Sequence, residues 1–406
     1  MHRKVLVMVL AGGEGRRLFP LTAIRSKPSV PFGGRYRIID FALSNIVNSG
    51  MYSIYLLVQY KSQSLIKHVQ ENWSQASVSR DQFVTIVPPQ MHKGQEWFQG
   101  TADAVLQNIT LITQHNPTHV VIFGADHIYR MDISQMLDFH IDNKAHVSVA
   151  ARPVPIEQAS AFGVIKADKS GKIERFEEKP KNPSPMPEDP KQSYISMGNY
   201  IFDTNVLLES LYDAQKKNEH DFGSYVLPTL VEKGANLYAY DFSLNKVADV
   251  KPYEEVAYWR DVGTIQAYWQ SHMDMLGENP PFDVYNSNWP IHPEFTLVPP
   301  AKIISGDISN CLIAAGVVIR GAKIRNSIIR SGTVIEDNVE IADSIIFDHV
   351  HIKKGARLNK VIIDKNNIIE ENETFGFDIN QDRFKLHMDP SGIGILPKTS
   401  ARDKTV

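Results

Sequence analysis

The chain has 406 residues, 43% of them hydrophobic and 22% charged, which is ordinary for a globular protein with more than one core. Lys and Arg number 43 against 46 Asp and Glu, and the net charge of −3 excludes a global basic field of the kind that coats nucleic acid. The single cysteine, Cys311, excludes an intramolecular disulfide framework and a CxxC zinc site, and no apolar stretch reaches the length of a membrane span.

In chain order, Met1–Leu10 carries two early cations and then an apolar run, as a secretion signal would. That run, Val5–Ala11, breaks into Gly12-Gly13-Glu14-Gly15-Arg16-Arg17, a loop that does not follow a small-residue cleavage site. A buried strand and a cytoplasmic protein are the expectation. Lys4–Leu10, Ser53–Val58, Val120–Phe123, Val147–Ala151 and Tyr200–Phe202 are apolar almost throughout, as strands covered on both faces are. Helices are predicted between them. Ile38–Asn48 stops at Gly50, Thr101–His115 starts behind a Thr101 cap, and Thr204–Lys217 carries Val206, Leu207, Leu208 and Leu211. The alternation argues for an α/β domain with a mostly parallel sheet over residues 1–276.

Residues 277–300 hold Pro280-Pro281, Pro290, Pro293 and Pro299-Pro300, a linker composition that favours an extended path over a surface. A repeat follows. Large apolar residues recur every five or six positions at Ile313, Ile319, Ile324, Ile329, Ile335, Ile341, Ile346, Ile352, Leu358, Ile363, Ile369 and Phe375. Two residues before most of them sits a small or β-branched residue, from Cys311, Val317 and Ala322 to Val361. Residues i and i+2 of a strand share a face, so short strands joined by tight corners are implied: a hexapeptide-repeat parallel β-helix over 301–375, with about four coils. Residues 376–406 form a tail. His349 and His351 read as solvent-facing turns of the coil, and Cys311 as a core filler.

Four segments could carry chemistry. The glycines at 12, 13 and 15, directly after the first strand, let the backbone approach a ligand and aim N–H groups at phosphate, and Arg17, Arg25 and Lys27 follow. The spacing is neither GxGxxG nor a Walker A loop, and alone such a turn is as often only a turn. Asp126 ends an apolar strand, where α/β sheets bind ligands and where an acid suits magnesium, although strand-terminating aspartates are common. Asp261, before a Gly turn and a helix, is a second acid or an N-cap. Glu177-Glu178-Lys179 is a site or an exposed charge cluster. Spacing does not show that Asp126 and Asp261 meet.

Together these segments resemble the glucose-1-phosphate adenylyltransferases over nearly the whole chain. The shared motifs are Leu10–Leu18, Arg25–Phe41, Gly94–Ala104, Gly124–Tyr129, Pro153–Val164, Phe176–Pro180, Ser196–Phe202 and Tyr258–Tyr268, followed by the Pro-rich linker and the left-handed parallel β-helix. The resemblance implies a Rossmann-like nucleotidyltransferase domain and Mg2+-dependent transfer of the adenylyl group of ATP to α-D-glucose 1-phosphate, giving ADP-glucose and pyrophosphate for glycogen synthesis. Two anionic reactants demand cations, a metal and positioning rather than a covalent nucleophile. The resemblance places Arg17, Lys27 and Asp126 in catalysis, and Asp126 and Asp261 on the metal. It puts Gly12, Gly13, Gln90, Gly100 and Thr101 on the nucleotide, and Gly163, Glu178, Lys179 and Ser196 on glucose 1-phosphate. It implies a homotetramer under allosteric control by a phosphorylated metabolite, with Arg25, Arg37 and Arg383 at a regulatory anion site, and neither a nucleic-acid nor a membrane partner.

The chain departs from the family pattern at Phe98-Gln99, where members have Tyr-Arg, and at Ile24 and Pro31, where the enteric branch has Lys and His. The first removes a hydroxyl and a cation beside the nucleotide site. Losing the lysine at 24 removes a charge-assisted contact of about 1.5–3 kcal/mol, which leaves the effector open. A non-catalytic regulatory subunit, a nucleotidyltransferase for another base, and a hexapeptide acyltransferase are the competing readings. The presence of Arg17, Lys27, Asp126 and Asp261 favours catalysis.

Overall fold

The computed structural model describes residues 4–73, 82–90, 97–295 and 297–398. Residues 94–96 of the Gly94–Ala104 motif and the end of the tail lie outside these. Among the described residues no helix is long and apolar enough to cross a membrane.

A nine-stranded sheet organises the first two-thirds of the chain. Val5–Ala11 lies between Ser53–Val58 and His119–Gly124, parallel to both, and Phe83–Val87 extends this parallel half. The apolar runs are buried on both faces because helices Ile38–Asn48, Thr101–Leu106 and Ile109–His115 and their neighbours cover them. The long strand Gln192–Asp203 then runs antiparallel and branches. It pairs with His119–Gly124, with Val147–Pro155 and with Gly163–Ala167. Its register slips between Ser196 and Tyr200, a bulge that re-aims side chains at the sheet's end. The predicted helix Thr101–His115 is two helices, broken at Gln107-Asn108 where Asn108 bonds back to the Ala104 carbonyl. Thr101 is not its cap: Gly100 is, and the Thr101 hydroxyl turns away to Asp221.

Residues 277–295 lie against the α/β layer, but as bends and turns up to Trp289, where Asn286 Oδ1 accepts from the Asn288 and Trp289 N–H groups, rather than as the extended path expected. There Asn48 donates to the Pro290 carbonyl, His292 N–H to Ser44 and Glu294 N–H to the Arg35 carbonyl. The chain then coils into a left-handed parallel β-helix. Ile303, Ile319, Ile335, Ile352 and Ile369 stack in register on one face of five strands. The repeat residues from Ile319 to Phe375 are buried in one continuous ladder, with Val317, Ala322, Val339, Val350, Ala356 and Val361 beside them. The first coil begins before the apolar repeat does, at Lys302–Ile303, and Ile303 and Ile304 remain exposed on it. Cys311 is half-buried against the ladder, and His349 is exposed at a corner.

The coil does not stand apart from the sheet domain. Ile328, Ile345 and Ile362, each one position before an inward residue, point outward and join Phe32, Phe41, Tyr268 and Phe282 in a shared core. Buried ion pairs cross the same seam, where Arg25 Nη2 reaches Asp364 Oδ2 at 2.6 Å. His272 lies in this seam as a neutral imidazole, its Nδ1 donating to the Tyr268 carbonyl and its Nε2 accepting from Gly33 N–H.

Burial, reinforced by the charge of Arg330 and only partly offset by the Tyr268 hydrogen bond, pushes the His272 pKa down to about 3, and burial pushes His140 to about 4. The unfolded chain takes up a proton near pH 6.5 and the native one does not, so stability falls as pH drops below 6.5. Between pH 6.5 and 4 this contribution is about 1.4 kcal/mol per pH unit for each histidine. Urea unfolding at closely spaced pH should show that His272→Gln flattens the slope by about that amount for one histidine. An unchanged slope would contradict the neutral assignment.

Candidate functional site

The glycine-rich turn follows the first strand and closes on a short 3-10 turn, Arg16–Leu18, through Gly15 at φ 64°. A Cβ at Gly15 would lie 2.9 Å from Lys27 Cβ, so only glycine lets this turn rest on the lysine. Lys27 starts another 3-10 turn, with Pro28 second, and is 6% exposed. Asp126 sits just past the end of His119–Gly124. Asp261 arrives from 135 residues downstream because Trp259–Asp261 pairs antiparallel with His127–Tyr129, with Asp261 opposite His127.

Lys27 Nζ lies 2.9 Å from Asp126 Oδ2 and 2.9 Å from Asp261 Oδ1. Burial alone would lower the lysine pKa, but the two carboxylates outweigh it and hold it above the usual value. Burial would likewise raise the Asp126 carboxyl, yet Lys27 and the neighbouring His127 hold it well below the usual carboxylate range. Arg17 is largely exposed and its Nη2 stands 3.8 Å from Asp261 Oδ2. Asp126, His127 and Asp261 each offer a ligand atom, all within 4.8 Å of one another, the only such trio among the described residues. Two carboxylates where the cavities meet are hard oxygen donors of the kind Mg2+ takes, so the residues fit a divalent ion. Nucleotidyl transferases generally use divalent metal ions.

Two cavities meet at this cluster. One, of about 600 Å3, is lined by Gly12, Gly13, Gly15, Arg17, Lys27, Gln59, Gly100, Thr101 and Asp126. The other, of about 640 Å3, is lined by Gly163, Glu178, Lys179, Ser196, Trp259 and Asp261. Arg17, Thr101, His127, Gly198, Tyr200 and Asp221 line both and form the common wall. The bulge in Gln192–Asp203 places Ser196 and Gly198 here. Lys179 adopts a left-handed φ of 47°, is 65% exposed on its side chain and pairs with Glu178 at 3.1 Å.

The far wall is clamped. Ala102 and Asp103 N–H both donate to the His220 carbonyl, the Thr101 hydroxyl donates to Asp221 Oδ2 and accepts from Phe222 N–H, and a Cβ at Gly100 would sit 2.3 Å from the His220 oxygen. Gln59 and Phe98 exchange a pair of hydrogen bonds, which pins the Phe98-Gln99 turn to the strand Ser53–Val58.

The structure therefore brings together the sequence-predicted Gly12, Gly13, Arg17, Lys27, Gly100, Thr101, Asp126, Gly163, Glu178, Lys179, Ser196 and Asp261. Gln90 is exposed, donates to the Pro88 carbonyl and is not among the described lining residues. Arg25 is paired with Asp364, and Arg37 with Glu294 and Ser64. Arg383 is exposed at the end of the turn Ile379–Asp382. His127, beside Asp126, lines both cavities. Asp221 and Tyr200 carried no spacing signal, and only the fold brings them to the wall.

Comparison with known proteins places both parts of the chain in known families. The family described as nucleotidyl transferase matches residues 6–278, and the GlmU-like C-terminal hexapeptide family matches 297–396. A glucose-1-phosphate adenylyltransferase of Thermodesulfovibrio yellowstonii is 60% identical over 98% of this chain and 97% of its own. Those of Photobacterium profundum and Corynebacterium jeikeium are 46% and 44% identical, each over 97% of this chain and 98% of their own.

Proposed function

The chain belongs to the glucose-1-phosphate adenylyltransferase family, a group of nucleotidyltransferases, and from that premise we propose how its own residues perform the reaction. ATP and α-D-glucose 1-phosphate give ADP-glucose and pyrophosphate. An oxygen of the sugar phosphate bonds to the α-phosphorus of ATP as the bond to the bridging oxygen of pyrophosphate breaks in line. The observation that carries this reading is the meeting of two cavities at Lys27, Asp126 and Asp261, one sized and lined for a nucleotide, the other for a sugar phosphate.

In this reading the Gly12-Gly13 backbone and Arg17 receive the ATP phosphates, with Gly100 and Thr101 against the nucleoside. The place of Gln90 there is supported by the family motif alone. Glu178, Lys179, Ser196 and Gly163 hold and orient glucose 1-phosphate. Asp126 and Asp261 would hold Mg2+, which when bound offsets phosphate charge. Lys27, charged and desolvated, is preorganised to stabilise charge on the reacting phosphates. A non-catalytic subunit would lack a phosphate-binding cation or a metal aspartate, and Arg17, Lys27, Asp126 and Asp261 are all present and lie together here.

The proposal extends to the rest of the molecule. Residues 1–276 carry the chemistry, 277–300 link, 301–375 form the β-helix and 376–406 the tail. The enzyme works in the cytoplasm as a homotetramer supplying glycogen synthesis. The open edge of Gly306–Ile313, which pairs only with Ala322–Ile329 among the described residues, supports assembly. Control by a phosphorylated metabolite at Arg25, Arg37 and Arg383 is supported by Arg25 Nη1 and Arg37 Nε, both buried without a hydrogen-bond partner among the described residues.

Asp126→Asn should cut kcat by about a hundredfold or more while circular dichroism stays that of the native fold, measured by pyrophosphate release. An unchanged kcat would remove Asp126 from the chemistry. Lys179→Gln should raise KM for glucose 1-phosphate about tenfold or more and leave KM for ATP nearly constant. Equal changes in both would place Lys179 elsewhere.

A further inference from the structure

We propose that Arg330, carried on the β-helix, is a positioning residue for Lys27. The inference rests on the role given to Lys27 above. Arg330 follows the strand Ala322–Ile329, is 1% exposed and lies among the largest fully buried side chains. Its Nη1 donates to three backbone carbonyls of the sheet domain: Phe32 at 3.1 Å, Gly33 at 3.0 Å and Tyr36 at 3.0 Å. Those carbonyls belong to the small hairpin Pro31–Phe32 and Tyr36–Arg37. Gly33, at φ 54°, makes the turn that lets them converge. Three carbonyl oxygens aimed at one point in a buried space are left unsatisfied unless a donor is held there, and a planar guanidinium anchored by its other nitrogens to Asp348 and Glu294 holds Nη1 at that point.

The hairpin is the immediate continuation of the turn that presents Lys27. Val30 N–H donates to the Lys27 carbonyl at 3.1 Å and closes the turn, and Ile38 N–H donates to the Val30 carbonyl at 3.2 Å. Hydrogen bonds and the one- or two-residue stretches of backbone between them thus connect the guanidinium on the coil to the backbone of the lysine. The other flank is held from the coil too, since Arg25, two residues before Lys27, is paired with Asp364. The β-helix therefore grips the lysine segment on both sides, and misplacement of a reacting-site cation by a fraction of an ångström is costly in rate.

The ion-pair network allows a clean test. Arg330 also bonds Asp348 and Glu294, but Asp348 keeps Lys365 at 2.8 Å and Glu294 keeps Arg37 at 3.2 Å when the arginine is removed. Arg330→Met in the full chain then takes away the carbonyl donor and leaves each carboxylate with a cation. At a temperature below unfolding, kcat should fall about 10- to 100-fold while KM for ATP and for glucose 1-phosphate changes less than about threefold. Backbone hydrogen exchange over residues 26–38 should quicken at least about tenfold. Leu211→Ala, a core truncation on a helix that lines neither cavity, serves as the matched control. It should lower the unfolding midpoint and keep kcat within about twofold. If Arg330→Met is poorly folded, Arg330→Lys, which keeps the charge but not the fork, is measured in the same way and should show the same split. A kcat within twofold of the unsubstituted chain, or a loss no greater than that of Leu211→Ala with exchange at 26–38 unchanged, would overturn the proposal. An unsubstituted chain that turns over no ATP at all would instead sink the functional reading, and the exchange contrast alone would then decide the role of Arg330.

Discussion

One ammonium between two carboxylates fixes the geometry on which the rest of the site depends. Lys27 is almost wholly buried, and a buried lysine without partners would lose its charge. It keeps its charge because Asp126 and Asp261 flank it, and they remain ionised in part because it is there. The three residues come from three separate segments, so two ion pairs made by one ammonium tie the turn Lys27–Ser29, the end of a central strand and a distant two-stranded ribbon. Such a cluster is a poor source of net stability but a strong source of specificity in geometry, since removing one member strands the others. In the proposed reaction the same balance is put to use: incoming phosphates offer Lys27 new partners, and the carboxylates are released towards a divalent ion.

The sheet explains why two ligands would meet there. The parallel half of the sheet delivers the glycine turn and Asp126 at one edge of the crevice, as the carboxyl ends of parallel strands do in open α/β folds. The branched strand Gln192–Asp203 delivers the sugar-side residues from the other half, and its bulge carries Ser196 and Gly198 to the common wall. Asp221 braces that wall through the Thr101 hydroxyl. The substitution of Gln99 for the arginine usual in the family falls on this braced turn, where its N–H is held by Asp103.

Much of this was legible in the sequence, and what was not has physical causes. The inward ladder of the β-helix follows from the five- and six-residue spacing, because only one register buries every repeat residue. The doublets Ile328-Ile329, Ile345-Ile346 and Ile362-Ile363 held a second message: the first member of each faces outward and marks the side that docks on the sheet domain. The first coil falls within the expected span 301–375 but ahead of the apolar repeat that begins at Ile313, and it leaves Ile303 and Ile304 exposed. Helix Ile38–Asn48 was readable to the residue, since Gly50 stops it, whereas the break at Gln107-Asn108 came from side-chain competition for backbone that periodicity does not report. The glycine turn, Lys27 and Glu178-Lys179 were visible as local motifs. The approach of Asp261 to Asp126 was not, because strand pairing across so long a separation leaves no spacing signal. Arg25 and Arg37, which look like free cations in the sequence, are already ion-paired with Asp364 and Glu294 across the seam.

The most direct test of the central claim is pyrophosphate release by the full chain with a panel of nucleoside triphosphates and sugar 1-phosphates, each with and without fructose and triose phosphates. Turnover with ATP and glucose 1-phosphate that exceeds UTP, GTP and dTTP, and every other sugar phosphate, by about tenfold or more is the expected result. Preference for another base or another sugar phosphate, or no turnover under any effector, would contradict it.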